Sequence, residues 1–159
     1  MHKVPGVQPR PPSQSDWAAG PWHSWLEVTP SRVFILRYPP NHTYEGTVGA
    51  FDDIVRISAA AASPYAFIFD VTRITRSDAR GRAYVTECEK KINAMQSVKT
   101  HCRGVAWVSQ NALQRGVLTA IAWFASRPYA EKVVSSYEDA DRWVAGRLGV
   151  APRAFSAAS

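Results

Sequence analysis

Two cysteines in 159 residues, Cys88 and Cys102, are too few for a disulfide framework, and neither sits in a CxxC or other ligand spacing. Cys88 falls on an apolar helical face and Cys102 just before a strand, so both read as reduced packing residues of a cytoplasmic protein. Histidine is also sparse. His2, His23, His42 and His101 show no HxH or HExxH spacing, so no metal centre is expected. Phosphate loops of the GxxxxGK and GxGxxG types are absent, and so is the GxSxG elbow. His101 beside Cys102 is a nucleophile–base pair only on paper, because neighbours on an extended chain point to opposite faces. No reaction or cofactor is nominated, and no enzyme is expected. The longest strongly apolar run, Val117 to Ala125, falls far short of the roughly 20 residues of a membrane span. The N-terminal stretch MHKVPGVQPRPPSQS is too polar and proline-rich for a signal peptide.

What the chain does have is an ordinary globular composition, 46% apolar and 20% charged. A net charge of +6 and a pI near 9.6 favour acidic partners: nucleic acid, anionic lipid or an acidic protein face. The basic residues are scattered, and Arg73, Arg76, Arg80 and Arg82 form the densest group. Without a recognition helix or an RNA-type aromatic motif, nucleic acid is not the expected partner. Residues 1–21, with Pro5, Pro9, Pro11 and Pro12, read as a disordered tail. Residues 22–149 read as one domain and 150–159 as a second, small-residue tail.

Within the domain, Trp22–Val28 and Arg32–Tyr38 read as an antiparallel hairpin around Thr29-Pro30-Ser31. From Glu45 to Ala61 the period turns helical, with Val48, Phe51, Val55 and Ala59 on one face. Tyr65–Val71 reads as the central strand. A helix follows over 78–98, facing inward with Val85, Cys88, Ile92 and Met95 and leaving Glu87, Glu89, Lys90 and Lys91 in solvent. Gly104–Ser109 is a further buried strand. Asn111 caps a helix that presents Leu113, Val117, Ala120, Ile121 and Phe124 to the core. Lys132–Ser135 is a last short strand. Ser136 and Asp139 form a capping box for a helix carrying Ala140, Trp143, Val144 and Leu148 inward and ending at Gly149. The order β-β-α-β-α-β-α-β-α, about five strands and four helices, predicts an α/β fold with a mixed, mostly parallel sheet.

The stretch AFIFDVTRITRSDARGR, residues 66–82, is the centre of this arrangement. It is a buried strand that ends in Asp70, then a turn of hydroxyls and arginines, then a helix. Ligands and partners meet open α/β sheets at the carboxyl ends of their strands. Asp70, Thr72, Arg73, Thr75, Arg76, Ser77, Asp78, Arg80 and Arg82 are therefore the candidate partner-binding residues. Two readings stand for the hydroxyls and for Asp70: a binding role, or satisfying backbone groups in the turn and capping the helix.

Together with RGVLTAIAWFA after a strand ending in Ser109, and the closing EDADRWVAGRLG helix, this junction resembles the STAS-like superfamily over about residues 22–149. That superfamily includes anti-sigma-factor antagonists, cytoplasmic domains of sulfate transporters, and bacterial stand-alone proteins related to CRAL-TRIO lipid-binding domains. The resemblance implies a regulatory or scaffolding module. Antagonists of the family carry an Asp-Ser-x-Gly turn whose serine is phosphorylated. Here that motif falls on Asp78-Ala79-Arg80-Gly81, so the phosphorylatable position is an alanine, with Ser77, Thr75 and Thr72 close by.

The helix after Asn111 is apolar on several sides. Arg115, Gly116, Thr119 and Trp123 are candidates either for self-association, giving a homodimer, or for walling a pocket for an acyl chain. Trp17, Trp22 and Trp25 are placed to fold back on the domain. The expected function is binding of an acidic protein partner through residues 70–82. The alternative is a binder of a lipid or other amphipathic molecule.

Overall fold

Period-two alternation in three strands decides which residues face each layer of helices. The computed structural model describes residues 20–124 and 126–152, with side chains omitted for 120–124. The expected tails fall mainly outside the described residues, as does Trp17. In chain order the elements are β1 (Leu26–Val28), β2 (Val33–Arg37), β3 (Asn41–His42), α1 (Tyr44–Ala60), β4 (Tyr65–Asp70), β5 (Arg76–Ser77), α2 (Ala79–Ala94), α3 (Gln96–His101), β6 (Cys102–Val108), α4 (Ala112–Phe124), β7 (Glu131–Val134) and α5 (Tyr137–Leu148). The main sheet has the order β1-β2-β4-β6-β7. β1 is antiparallel to β2, and the remaining pairs are parallel. This is the expected mixed α/β sheet, with β4 at its centre.

Phe34, Leu36, Tyr65, Phe67, Phe69 and Val105 point to one face, where Phe51, Ile54 and Ile57 of α1, Cys88 and Ile92 of α2 and Val98 of α3 meet them. Val33, Ile35, Ala66, Ile68, Ala106 and Val108 point to the other, against Ala140 and Val144 of α5. Strands buried on both faces carry continuous apolar runs, which is why β4 reads YAFIFD. Full burial of each large side chain contributes roughly 1.5–3 kcal/mol. The capping box holds: Ser136 Oγ accepts from the Asp139 amide at 3.1 Å. Gly149 ends α5 in the left-handed region, φ 68°, where glycine carries no Cβ penalty.

Several expectations are corrected. β1 begins at Leu26 rather than Trp22. Cys102 opens β6 instead of preceding it. The buried face of α1 is Thr47, Ala50, Phe51, Ile54, Ile57 and Ser58, rotated from the expected one, so Val48 and Val55 are half-buried and Ala59 is exposed. The helix expected over 78–98 breaks at Met95, whose backbone is extended. Ile92 and Val98 lie far from one face on a continuous helix. The break lets both reach the core, Val98 with no exposure, and Ser97 Oγ donates to Ser58 O at 2.7 Å beside it.

The largest reversal concerns α4. Leu113 and Val117, expected in the core, are 79% and 53% exposed. The half-buried side of this helix carries Gln114, Arg115 and Leu118, with Leu118 against the aromatic core. The sheet ends at β7, and among the described residues only this side of α4 meets the core; the side chains of Ala120, Ile121 and Phe124, also expected inward, lie outside the described residues.

Glu89 is not a solvated charge either. Arg127 pairs with it at 3.6 Å and with Glu131 on its other side. Trp107 Nε1 also donates to Glu131, at 3.4 Å. The Arg127 and Glu131 side chains are only 11% and 6% exposed. Burial pushes the Glu89 carboxyl up, and Arg127 pulls it back down. Removing one partner of a buried pair strands the other charges. Arg127→Ala should therefore lower unfolding stability by about 3–5 kcal/mol, read as a drop in the urea midpoint at unchanged slope. A loss below about 1 kcal/mol, the range of exposed pairs, would show that the network is solvated.

Candidate functional site: the loop leaving the central strand

β4 delivers the chain to the carboxyl edge of the sheet, and the next eight residues are tied down almost one by one. Asp70 Oδ1 accepts from the Thr72 amide at 3.0 Å and from Thr72 Oγ at 2.6 Å. This is a carboxylate closing its own turn. Val71 is buried and donates to Val108 O. The Pro40 carbonyl then accepts from the Thr75 and Arg76 amides at 2.9 and 3.0 Å, and from Thr75 Oγ at 3.0 Å. β5 runs parallel to β3, with Asn41 opposite Arg76 and His42 opposite Ser77. This two-stranded ladder escapes sequence reading because each strand has two residues and no apolar pattern. Its one local sign, the Pro39-Pro40 break, reads equally well as a turn.

α2 starts with Asp78 as its cap. The carboxylate accepts from the Arg80 amide at 2.8 Å and pairs with the Arg80 guanidinium at 3.0 Å. These hydrogen bonds hold the Asp78 carboxyl below its ordinary range. The free amides that could cradle an external anion are thus met by the protein's own carboxylate. Gly81 faces α1 closely, and a Cβ there would lie 3.2 Å from Thr47 Oγ1. Ala79, where the antagonist motif carries its serine, is the first residue of the helix and is exposed.

The arginine group divides in two. Arg80 lies 4.7 Å over the Tyr44 ring as well as on Asp78. Arg82 donates to Ser77 O at 3.1 Å and to Ser77 Oγ at 2.6 Å. These two brace the loop. Arg73 and Arg76 are exposed, and their guanidinium groups enter no hydrogen bond or ion pair among the described residues. Tyr44, not foreseen from sequence, adds an aromatic surface that continues edge-on into Tyr84, 6.5 Å away. Tyr84 donates in turn to Asp52.

The second candidate group lies along α4. Arg115 turns toward the sheet edge and donates to Ser109 O at 2.9 Å. Thr119 is exposed. A Cβ on Gly116 would meet nothing within 4 Å among the described residues. The Trp123 side chain lies outside the described residues. Asn111 does cap α4, accepting from the Gln114 amide at 3.1 Å. Cys102 is buried, and burial pushes its thiol up to about 11, far from a nucleophilic thiolate at neutral pH. Among the described residues no three His, Cys, Asp or Glu side chains could hold a metal ion. No helix there is long and apolar enough to cross a membrane.

Neither a family model nor a curated protein matches this chain. Among solved structures it is similar to an uncharacterised protein of the DUF3478 family from Shewanella loihica PV-4, which has a SpoIIAA-like fold. The TM-score is 0.58 at 17% identity, over 74% of this chain and 89% of that one. The likeness shows the fold, which is STAS-like as the junction implied.

His42 anchors the ladder from below. It is 7% exposed, and its ring sits 4.6 Å from Tyr38 and 5.5 Å from Trp25. Its Nε2 meets no hydrogen-bond partner among the described residues. Burial lowers its pKa, so the folded protein holds the neutral ring and the unfolded chain binds the proton more readily. That contribution is present above the unfolded value of about 6.5 and is lost as pH falls toward the folded value. Melting temperature should fall between about pH 7 and pH 5.5, and His42→Phe should flatten part of that fall. An equal fall in the variant would clear His42 as its source.

Proposed function

We propose that this chain is a non-enzymatic regulatory or scaffolding module that binds an acidic protein partner through the 70–82 surface. One observation carries the reading: two arginines unpaired among the described residues stand on a loop whose backbone is already fixed. Arg73 and Arg76 flank a segment held by three hydrogen bonds to the Pro40 carbonyl. A pre-ordered loop loses little entropy on binding, and arginine is enriched among interface anchors. The hydroxyls and carboxylates of the loop are engaged in holding it, which favours docking over bond-making chemistry. Ser77 is exposed and already touches Arg82, so a phosphate there would find a cation in reach and could switch the surface. A cytoplasmic, bacterial-type setting fits this reading.

A specific observation favours self-association as a second mode. Leu113 and Val117 lie one turn apart on α4 and are both exposed. The lipid reading has less support. Among the described residues, an apolar cavity between Phe51, Phe67, Ile92 and Tyr129 measures about 20 Å³, room for little more than one water.

The test is affinity capture from the source cell followed by reconstitution from purified components. A stoichiometric complex should form with the wild type. In Arg73→Glu/Arg76→Glu it should weaken by at least about tenfold, or 1.4 kcal/mol. Arg80→Ala should loosen the start of α2 and affect binding less. A complex unchanged by the double reversal would remove this surface. Native mass spectra of the same samples report self-association, and a dimer that persists in Leu113→Glu/Val117→Glu would remove α4 from it.

A further inference from the structure

The sheet ends at β7, and an open groove of about 540 Å³ runs along that edge. Its floor is the strand from Lys132 to Ser135. α4 contributes Arg115 to the groove, and α5 contributes Arg142 and Trp143. β7 pairs with β6 and with no other strand among the described residues.

In a parallel ladder, alternate residues turn both N–H and C=O to the same neighbour. The Ala130 carbonyl accepts from Val105 at 2.9 Å, and the Val134 carbonyl accepts from Ser109 at 3.0 Å. Ala130, Lys132 and Val134 therefore face β6. Glu131, Val133 and Ser135 turn their main chains outward, two of them at the groove floor. An edge of this kind is a template for another extended segment, with main-chain hydrogen bonds supplying affinity and flanking side chains supplying choice.

Charge identifies the occupant. Arg115, Lys132 and Arg142 surround the groove, against the single carboxylate of Asp139, which pairs with Arg142 at 3.1 Å. Lys132 is exposed and enters no ion pair among the described residues. A second copy of this edge would set the same cations against each other, in a chain whose net charge is already +6. An extended segment bearing carboxylates is complementary to it.

We propose that the β7 edge takes up an extended acidic peptide of a partner protein as a sixth strand. The main chains of Val133 and Ser135 make the hydrogen bonds, and Arg115, Lys132 and Arg142 select for acidic side chains. This site shares no residue with the 70–82 surface and stands independently of it.

The probe is a blocked peptide of alternating Glu and Val, added to the full chain and followed by residue-resolved amide hydrogen exchange. The amides of Val133 and Ser135 should slow by about tenfold or more. An alternating Lys–Val peptide should leave them unchanged, and so should the Glu–Val peptide N-methylated at every residue, which has no donor left on either edge. Lys132→Glu/Arg142→Glu should abolish the protection while keeping the wild-type circular dichroism, because both side chains are solvated. No protection at these two amides would overturn the proposal. So would protection that survives N-methylation, which would assign the groove to carboxylate binding without strand addition, or protection that survives charge reversal.

Discussion

Burial of β4 on both faces is the constraint from which the rest follows. Five of its six residues are buried, and its aromatics run into a continuous series: Phe34 to Phe67 at 5.4 Å, Phe67 to Phe69 at 5.5 Å and Phe69 to Trp107 at 4.7 Å. A strand so enclosed can present polar chemistry only where it ends. Asp70 is that end. The chain must then leave the sheet and return over α1 to begin α2, crossing the segment that leaves β2. The Pro40 carbonyl lies on that crossing, at the start of the β3–β5 ladder. By accepting from Thr75 and Arg76 it satisfies backbone groups that the crossing would otherwise leave unpaired. A rigid, arginine-bearing loop is the consequence.

Most of the architecture was legible because it rests on local period and local caps. The apolar run of β4, the hairpin around Thr29-Pro30-Ser31, Ser136 with Asp139, and Gly149 each carry their structure within a few residues. What escaped depends on partners distant in sequence. Periodicity shows that α4 has an apolar face but not that the sheet stops short of it, so from sequence alone Leu113 and Val117 read as core residues. Met95 carries no breaker, and the break there arises because Ile92 and Val98 both belong to the core. Glu89 looks like any helix-surface carboxylate until Arg127 arrives from beyond α4. In α1, Val48 and Val55 offer a helical spacing as good as that of Ile54 and Ile57 but rotated around the axis, so local period alone does not choose between the two faces.

The candidate surface was legible as a stretch but not in its division of labour. Arg73, Arg76, Arg80 and Arg82 are alike in sequence. Only the fold separates the two that brace the loop, through Asp78, Tyr44 and Ser77, from the two that face solvent. Asp70, the residue singled out most strongly by its position, closes its own turn with Thr72. In this loop the polar groups nearest the backbone are consumed in fixing its shape, and the charges left over project from it.

The most direct measurement of this account is residue-resolved amide hydrogen exchange on the isolated full chain. If the loop is fixed to Pro40 and His42 as described, the amides of Thr75, Arg76 and Asp78 exchange slowly, with opening free energies close to those of the first turns of α2. Exchange at the rate of an open surface loop would contradict it, because the free arginines would then stand on a segment that has yet to be ordered.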